Sequence, residues 1–157
     1  MTREELGTHL ATYAAGLEAE LSILHQIERL SAAQNRATAD HDVDQLHRIA
    51  DERDRLMSGL VRVESQIAPS RQLLFEYRPV AAGMPGFENV AALHRKASDL
   101  VTAIMHSDQE TMASLREAET ARRTASQTLE AGEHTLAAYR RVLSPTSSGP
   151  SLVDRKV

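Results

Sequence analysis

Apolar residues recur at alternating steps of three and four along three long stretches of this chain, and this spacing constrains the fold more than any other feature. The first stretch runs from Leu6 to Ile27, the second from Leu46 to Ile67 and the third from Leu93 to Leu143. Steps that average about 3.5 residues place such side chains on one stripe of a helix, where they meet partner helices. The spacing therefore predicts an all-α protein, an elongated antiparallel helical bundle or coiled coil of three long helices.

Local signals give the helix boundaries. Thr2 with Glu5, and Asp42 with Gln45, are the residue pairs that cap helix N-termini. Proline and glycine in 78–87 predict a loop. The predicted helices span 2–39, 42–77 and 88–143, in a single domain that covers 1–143. Pro69 is expected to kink the second helix without ending it. Serine and proline in 144–157 predict a disordered tail.

Composition excludes several classes of function. The chain has no Cys, which excludes disulfides and thiol nucleophiles. Residues 1–60 carry eleven acidic residues against six arginines, which argues against a nucleic-acid groove. No apolar run approaches the roughly 20 residues needed to span a bilayer, and no secretory signal is visible. We therefore expect a cytoplasmic protein without membrane insertion.

Three patterns suggest catalysis or metal binding, and each departs from its motif. The segment 40–51 is similar to a calcium loop, but Gln45 stands where glycine is needed, which favours a capped turn. No Glu-x-x-His pair occurs, so a di-metal bundle is not expected. His94 is followed by lysine two residues later, where a phosphotransfer motif has it three later. We expect no enzyme, metal or cofactor, with phosphotransfer at His94 left as an alternative.

The third stretch changes character after Ile104. Polar residues at Ser107 and Asp108 interrupt it, which indicates a change of packing partner or a bend. Beyond them the stripe contains small residues and Arg122, so it buries little apolar area. Such an underfilled stripe can accept a helix from another protein. The residues expected to make this contact are Leu115, Ala118, Ala125, Leu129 and Leu136.

The order of these features resembles a known family. The first helix contains Leu-Glu-Ala-Glu-Leu at 17–21, and Asp-Val-Asp-Gln-Leu at 42–46 opens a helix that includes Arg-Gln-Leu-Leu at 71–74. The polar step at 107–109 then leads into a low-complexity helix with Tyr139. Over residues 5–143 this layout resembles the FlgN-type flagellar export chaperones.

The resemblance implies a function and partners. Such a chaperone binds the C-terminal helices of hook-associated flagellar proteins, prevents their premature assembly and delivers them to the flagellar type III export apparatus. It implies that the stripe binds the client and that Tyr139 contacts the export gate protein; ordinary seam packing is the alternative for Tyr139. A structural coiled-coil adaptor without a delivery role is the alternative function. The connector aromatics Phe75, Tyr77 and Phe87 either cap one end of the bundle or form a contact patch.

Overall fold

The computed structural model describes residues 1–143, and this part of the chain is all-α, as predicted. Its helices are α1 (Arg3–Ala39), α2 (Val43–Glu76), α3 (Arg78–Ala81) and α4 (Phe87–Leu143). The chain divides into two units, which we call unit 1 (Met1–Ala113) and unit 2 (from Ser114 onward). Each unit is described by itself, and the single domain over 1–143 stays a prediction. The predicted tail at 144–157 lies outside the described residues.

Both predicted N-caps are confirmed. The Thr2 hydroxyl accepts a hydrogen bond from the Glu5 amide, and the Asp42 carboxylate accepts one from the Gln45 amide, each at 3.1 Å. Between α1 and α2, His41 adopts a φ of 55°, the left-handed conformation that lets the chain reverse in a short turn. Helix α2 continues through Pro69 to Glu76, as its unbroken apolar spacing predicts.

The loop predicted over 78–87 is wrong in its first part, because α3 forms one helical turn there. Pro79 lies in the first turn of α3. Backbone N–H groups in a first turn make no intrahelical hydrogen bond, so the missing N–H of proline costs nothing there. Ala81 in this turn is fully buried. Gly86 then takes a φ of 94°, which a residue with a side chain rarely adopts, just before α4 begins. The connector is thus a packed element of unit 1.

Two apolar clusters hold unit 1 together. One lies beside the connector and contains Leu6, Leu10, Tyr13, Leu17, Ile67, Leu74, Ala81, Met84, Val90 and Leu93. The other contains Leu24, Ile27 and Ile104, with Leu56, Leu60 and Leu100 packed against it. The start of α1 therefore meets the end of α2, while its middle meets the middle of α2. Helices α1 and α2 run in opposite directions, and the first part of α4 runs alongside α1.

Candidate functional sites

The structure places all six predicted site residues on one face of one helix. We call Leu115, Ala118, Ala125, Leu129, Leu136 and Tyr139 the exposed stripe. They are separated by steps of three, four or seven, so they project from the same side of α4. Leu129 is 69% exposed, Leu136 56% and Tyr139 62%. Within Ser114–Val142, the side chains of the exposed stripe are therefore uncovered in the free chain.

The spacing of the exposed stripe continues back into unit 1 without a change of phase. Ile104 and Thr111 lie seven residues apart, and Leu115 follows four residues later. Ile104 is 7% exposed and Thr111 only 2%. The same face of α4 is thus buried in unit 1 and exposed in unit 2.

The polar step at Ser107 and Asp108 is a packing layer between three helices. The Arg53 guanidinium donates hydrogen bonds to both carboxylate oxygens of Asp108, at 2.8 and 2.9 Å. It also donates to the Ser31 hydroxyl on α1 at 2.9 Å. Asn35 on α1 donates to the Ser107 hydroxyl at 3.1 Å. At this step α4 keeps α1 and α2 as its packing partners, and its contacts change from apolar to polar.

A pair of carboxyl groups, that of Glu20 buried and that of Glu64 partly exposed, lies between α1 and α2, where the sequence showed no such pattern. Glu20 is only 8% exposed and is hydrogen-bonded to Glu64. Arg71 forms an ion pair with Glu64 and a hydrogen bond with Tyr13. The spacing of the sequence could have indicated that Glu20 is buried, because Glu20 is three residues after Leu17 and four before Leu24. Glu20 lies on the buried face of α1, whereas its neighbour Leu21 is only partly buried.

The surroundings of this pair shift the pKa values of the two carboxyl groups in opposite directions. Burial, the hydrogen bond to Glu64 and the charge on Glu64 raise the pKa of Glu20 to about 7, against a smaller opposing effect of Arg71. The hydrogen bond from Glu20, followed by the bond and charge of Arg71, lowers the pKa of Glu64, while burial opposes them. Burial also raises the pKa of the Tyr13 hydroxyl, although Arg71 opposes it. At a pH a little below 7 the pair therefore holds one proton, on Glu20, while Glu64 is ionised.

Two open clefts adjoin this cluster in unit 1. The first, of about 530 Å³, is lined by Glu20, Glu64 and Arg71 and by His94 of α4. The second, of about 410 Å³, has apolar walls with arginines among them, and its lining includes Leu74, Phe75, Phe87, His94, Arg71, Arg78 and Arg95.

The connector aromatics divide into one packed ring and two exposed rings, and a contact patch at the exposed rings stays a prediction. Phe87 packs against the apolar cluster beside the connector. Phe75 is 74% exposed and Tyr77 38% exposed. One ring therefore closes the end of unit 1, while two remain open to solvent.

Within residues 1–143, no group of three or more His, Asp or Glu side chains could hold a metal ion. None of the described helices combines the length and apolar character that a membrane crossing requires. Comparison of the chain with family models, with curated proteins and with solved structures finds no match.

Proposed function

We propose that this protein binds a helix of a partner protein along the exposed stripe from Leu115 to Leu136, as an export chaperone of the FlgN type does. The observation that carries the proposal is the contrast along one face of α4. Ile104 is 7% exposed in unit 1, whereas Leu129, Leu136 and Tyr139 are each more than half exposed in unit 2. An apolar stripe at helical spacing, left open to water, suits a second amphipathic helix.

In this proposal the two units have separate tasks. Unit 1 has its own apolar clusters and its own polar layer, so it folds without the client. Unit 2 presents the contact residues, and its clients are the C-terminal helices of hook-associated flagellar proteins. Tyr139 then contacts the export gate protein during delivery, and the protein works in the cytoplasm. A coiled-coil adaptor would use the same stripe but would lack the delivery step.

Client binding is tested by placing a charge on the exposed stripe. Leu129→Asp and Leu136→Asp should each weaken binding of a purified hook-associated C-terminal helix by at least about tenfold. The reason is that the charge would be buried without a partner in the complex. Both residues are exposed in the single chain, so thermal unfolding should be unchanged at a concentration low enough to keep the protein monomeric. Isothermal titration calorimetry gives the affinity.

Val61→Asp is the matched control, because Val61 is 63% exposed on α2 in unit 1 and is not part of the exposed stripe. This variant should bind like the wild type. Wild-type affinity in both stripe variants would refute the proposed contact. A fall in unfolding temperature without a change in affinity would assign the two leucines to the folding core instead.

A further inference from the structure

The second half of α4 is complementary to itself when two copies run in opposite directions. We propose that a second copy of this chain covers the exposed stripe from Ala125 to Tyr139, with Ala125 of each copy opposite Leu136 of the other. In this register Leu129 lies opposite Gly132, and Arg122 lies opposite Tyr139. The contact is two-fold symmetric, so each pairing occurs twice.

The sizes of the facing residues support this register. Each apolar layer combines a large side chain with a small one, Leu129 with Gly132 and Leu136 with Ala125, so the layers can reach the packing density of a protein interior. Apart from the backbone of its own helix, no atom of the described residues lies within 4 Å of the position where Gly132 would carry a Cβ, so a leucine of the second copy finds open space there. The Arg122 guanidinium can lie over the ring of Tyr139, a favourable cation–π arrangement.

The charges beside the stripe select the same register. Glu119 of one copy and Arg140 of the other flank the same two layers, offset by two residues along the axis, so their side chains can meet beside the seam. A shift of seven residues in one direction places Glu119 beside Glu133 in the same way, and a shift in the other direction places Glu133 of the two copies beside each other. Facing like charges oppose such pairings. The Glu119 carboxylate accepts hydrogen bonds from Arg122 and Arg123 of its own helix, at 2.8 to 3.1 Å. These bonds lower the pKa of Glu119, so its negative charge persists at neutral pH.

A parallel pairing of the two helices is disfavoured by two positions. It would place Arg122 opposite itself, so two positive charges would meet within the seam. It would also place Gly132 opposite itself, which leaves the layer without side chains to fill it. The antiparallel arrangement avoids both defects.

This inference deepens the proposed function, because a second copy would cover the exposed stripe until a client helix replaces it. It rests on the proposed function only for that replacement step. The pairing itself is measured with the purified protein alone, so the two proposals can fail separately.

Cysteine cross-linking tests the direction and register of the pairing. The chain contains no Cys, so Ala125→Cys and Leu136→Cys each introduce the only thiol. The two variants, purified separately, mixed and oxidised with copper phenanthroline, should form a disulfide-linked dimer. Each variant alone should not, because equal positions would lie about 16 Å apart along the helix axis, eleven residues at about 1.5 Å each. Cross-linking of each variant alone would show a parallel dimer, and no cross-link in any sample would overturn the proposal.

Charge reversal tests the Glu119–Arg140 contact. Sedimentation equilibrium of the wild-type protein should show a concentration-dependent dimer. Glu119→Arg and Arg140→Glu should each weaken dimerisation by about tenfold. The double variant should restore dimerisation, which a general loss of helix structure would not do. A wild-type protein that stays monomeric at the highest soluble concentration, or a double variant without recovery, would overturn this register.

The client experiment separates this inference from the proposed function. Dimers that form without any affinity for the hook-associated helix would refute the proposed function and leave the self-pairing intact. A strictly monomeric protein that binds the helix would refute the self-pairing alone. If both proposals hold, titration with the client helix should convert the dimer into a complex with one copy of the chain.

Discussion

Glu20 occupies a position on the buried face of α1 between Leu17 and Leu24, and its carboxyl group links the stability of unit 1 to pH. The pKa of Glu20 is about 7 in the folded chain and 4.5 in its ordinary state. Between these two values the folded state binds more protons than the unfolded state. The free energy of unfolding should therefore fall as pH rises from about 4.5 to about 7, and level off above that range.

Urea unfolding at several pH values measures this effect. Glu20→Gln keeps a hydrogen-bond donor toward Glu64 but cannot ionise. The variant should therefore not show the fall in the free energy of unfolding between pH 4.5 and about 7. For one proton this fall is at most about 1.4 kcal/mol per pH unit. The lowered pKa of Glu64 acts below about 4.5, outside this window. The readout is the difference between variant and wild type, which isolates the contribution of Glu20. Glu18→Gln, at an exposed position, should keep the wild-type slope; an unchanged slope in Glu20→Gln would contradict the assignment.

Tyr139 should separate client binding from delivery. Its ring is 62% exposed near the end of α4, where it can contact a second partner while residues upstream hold the client. Tyr139→Ala should leave client affinity nearly unchanged but impair secretion of hook-associated proteins. Loss of an aromatic anchor at an interface commonly costs at least about 2 kcal/mol, more than a tenfold change in affinity. Motility and secretion assays in a strain that carries the variant provide the measurement.

The adaptor alternative predicts no such separation for Tyr139. Tyr139→Phe is the conservative control, since it keeps the ring and removes only the hydroxyl. Normal secretion with Tyr139→Ala would exclude a gate contact at this residue. A loss of client affinity would assign the tyrosine to the client groove.

At the scale of helices, α1 and α2 approach closely at a glycine. A Cβ at Gly16 would collide with the side chain of Ile67, which is buried and branched at its own Cβ. Gly132 lies on the exposed part of α4 and would meet no atom. The same substitution at these two positions should therefore have opposite effects on stability.

At a concentration that keeps the protein monomeric, Gly132→Ala should stabilise α4 by up to about 1 kcal/mol, the difference in helix propensity. Gly16→Ala gains the same propensity but overpacks a buried contact, which costs about 1–3 kcal/mol, so unit 1 should lose stability. Chemical denaturation followed by circular dichroism measures both. Equal stabilisation of the two variants would show that Ile67 moves aside without cost.

The helix α4 contributes differently to the two units. In unit 1 its buried residues complete an apolar cluster and, through Asp108, an ion pair with Arg53. In unit 2 the side chains of Leu129 and Leu136 make no such buried contact. A helical segment without packing on its apolar face is held mainly by its own backbone hydrogen bonds, which open easily.

Amide hydrogen exchange should reveal this difference across the whole molecule. At a concentration low enough to keep the protein monomeric, residues 115–142 should exchange much faster than 46–63 of α2. Addition of a client helix should slow exchange in 115–142 selectively, because the exposed stripe then becomes covered. Equal protection of the two segments in the free monomer would contradict the open stripe.

The sequence by itself determined the helical class, the starts of α1 and α2 and the face on which the six stripe residues lie. These features follow from local chemistry, because caps act within three residues and helical spacing repeats within seven. The sequence missed α3, because the content of proline and glycine in 78–87 does not distinguish a loop from a packed helical turn.

Only the tertiary structure decided which polar residues are buried and which apolar residues are not. Glu20 and Arg53 have their partners, Glu64 and Asp108, on other helices, and no local pattern joins segments so far apart in the chain. Leu129 lies on the same face of α4 as Ile104, yet Leu129 is exposed and Ile104 is buried. Spacing defines a face of a helix, whereas the exposure of that face depends on whether other parts of the fold cover it.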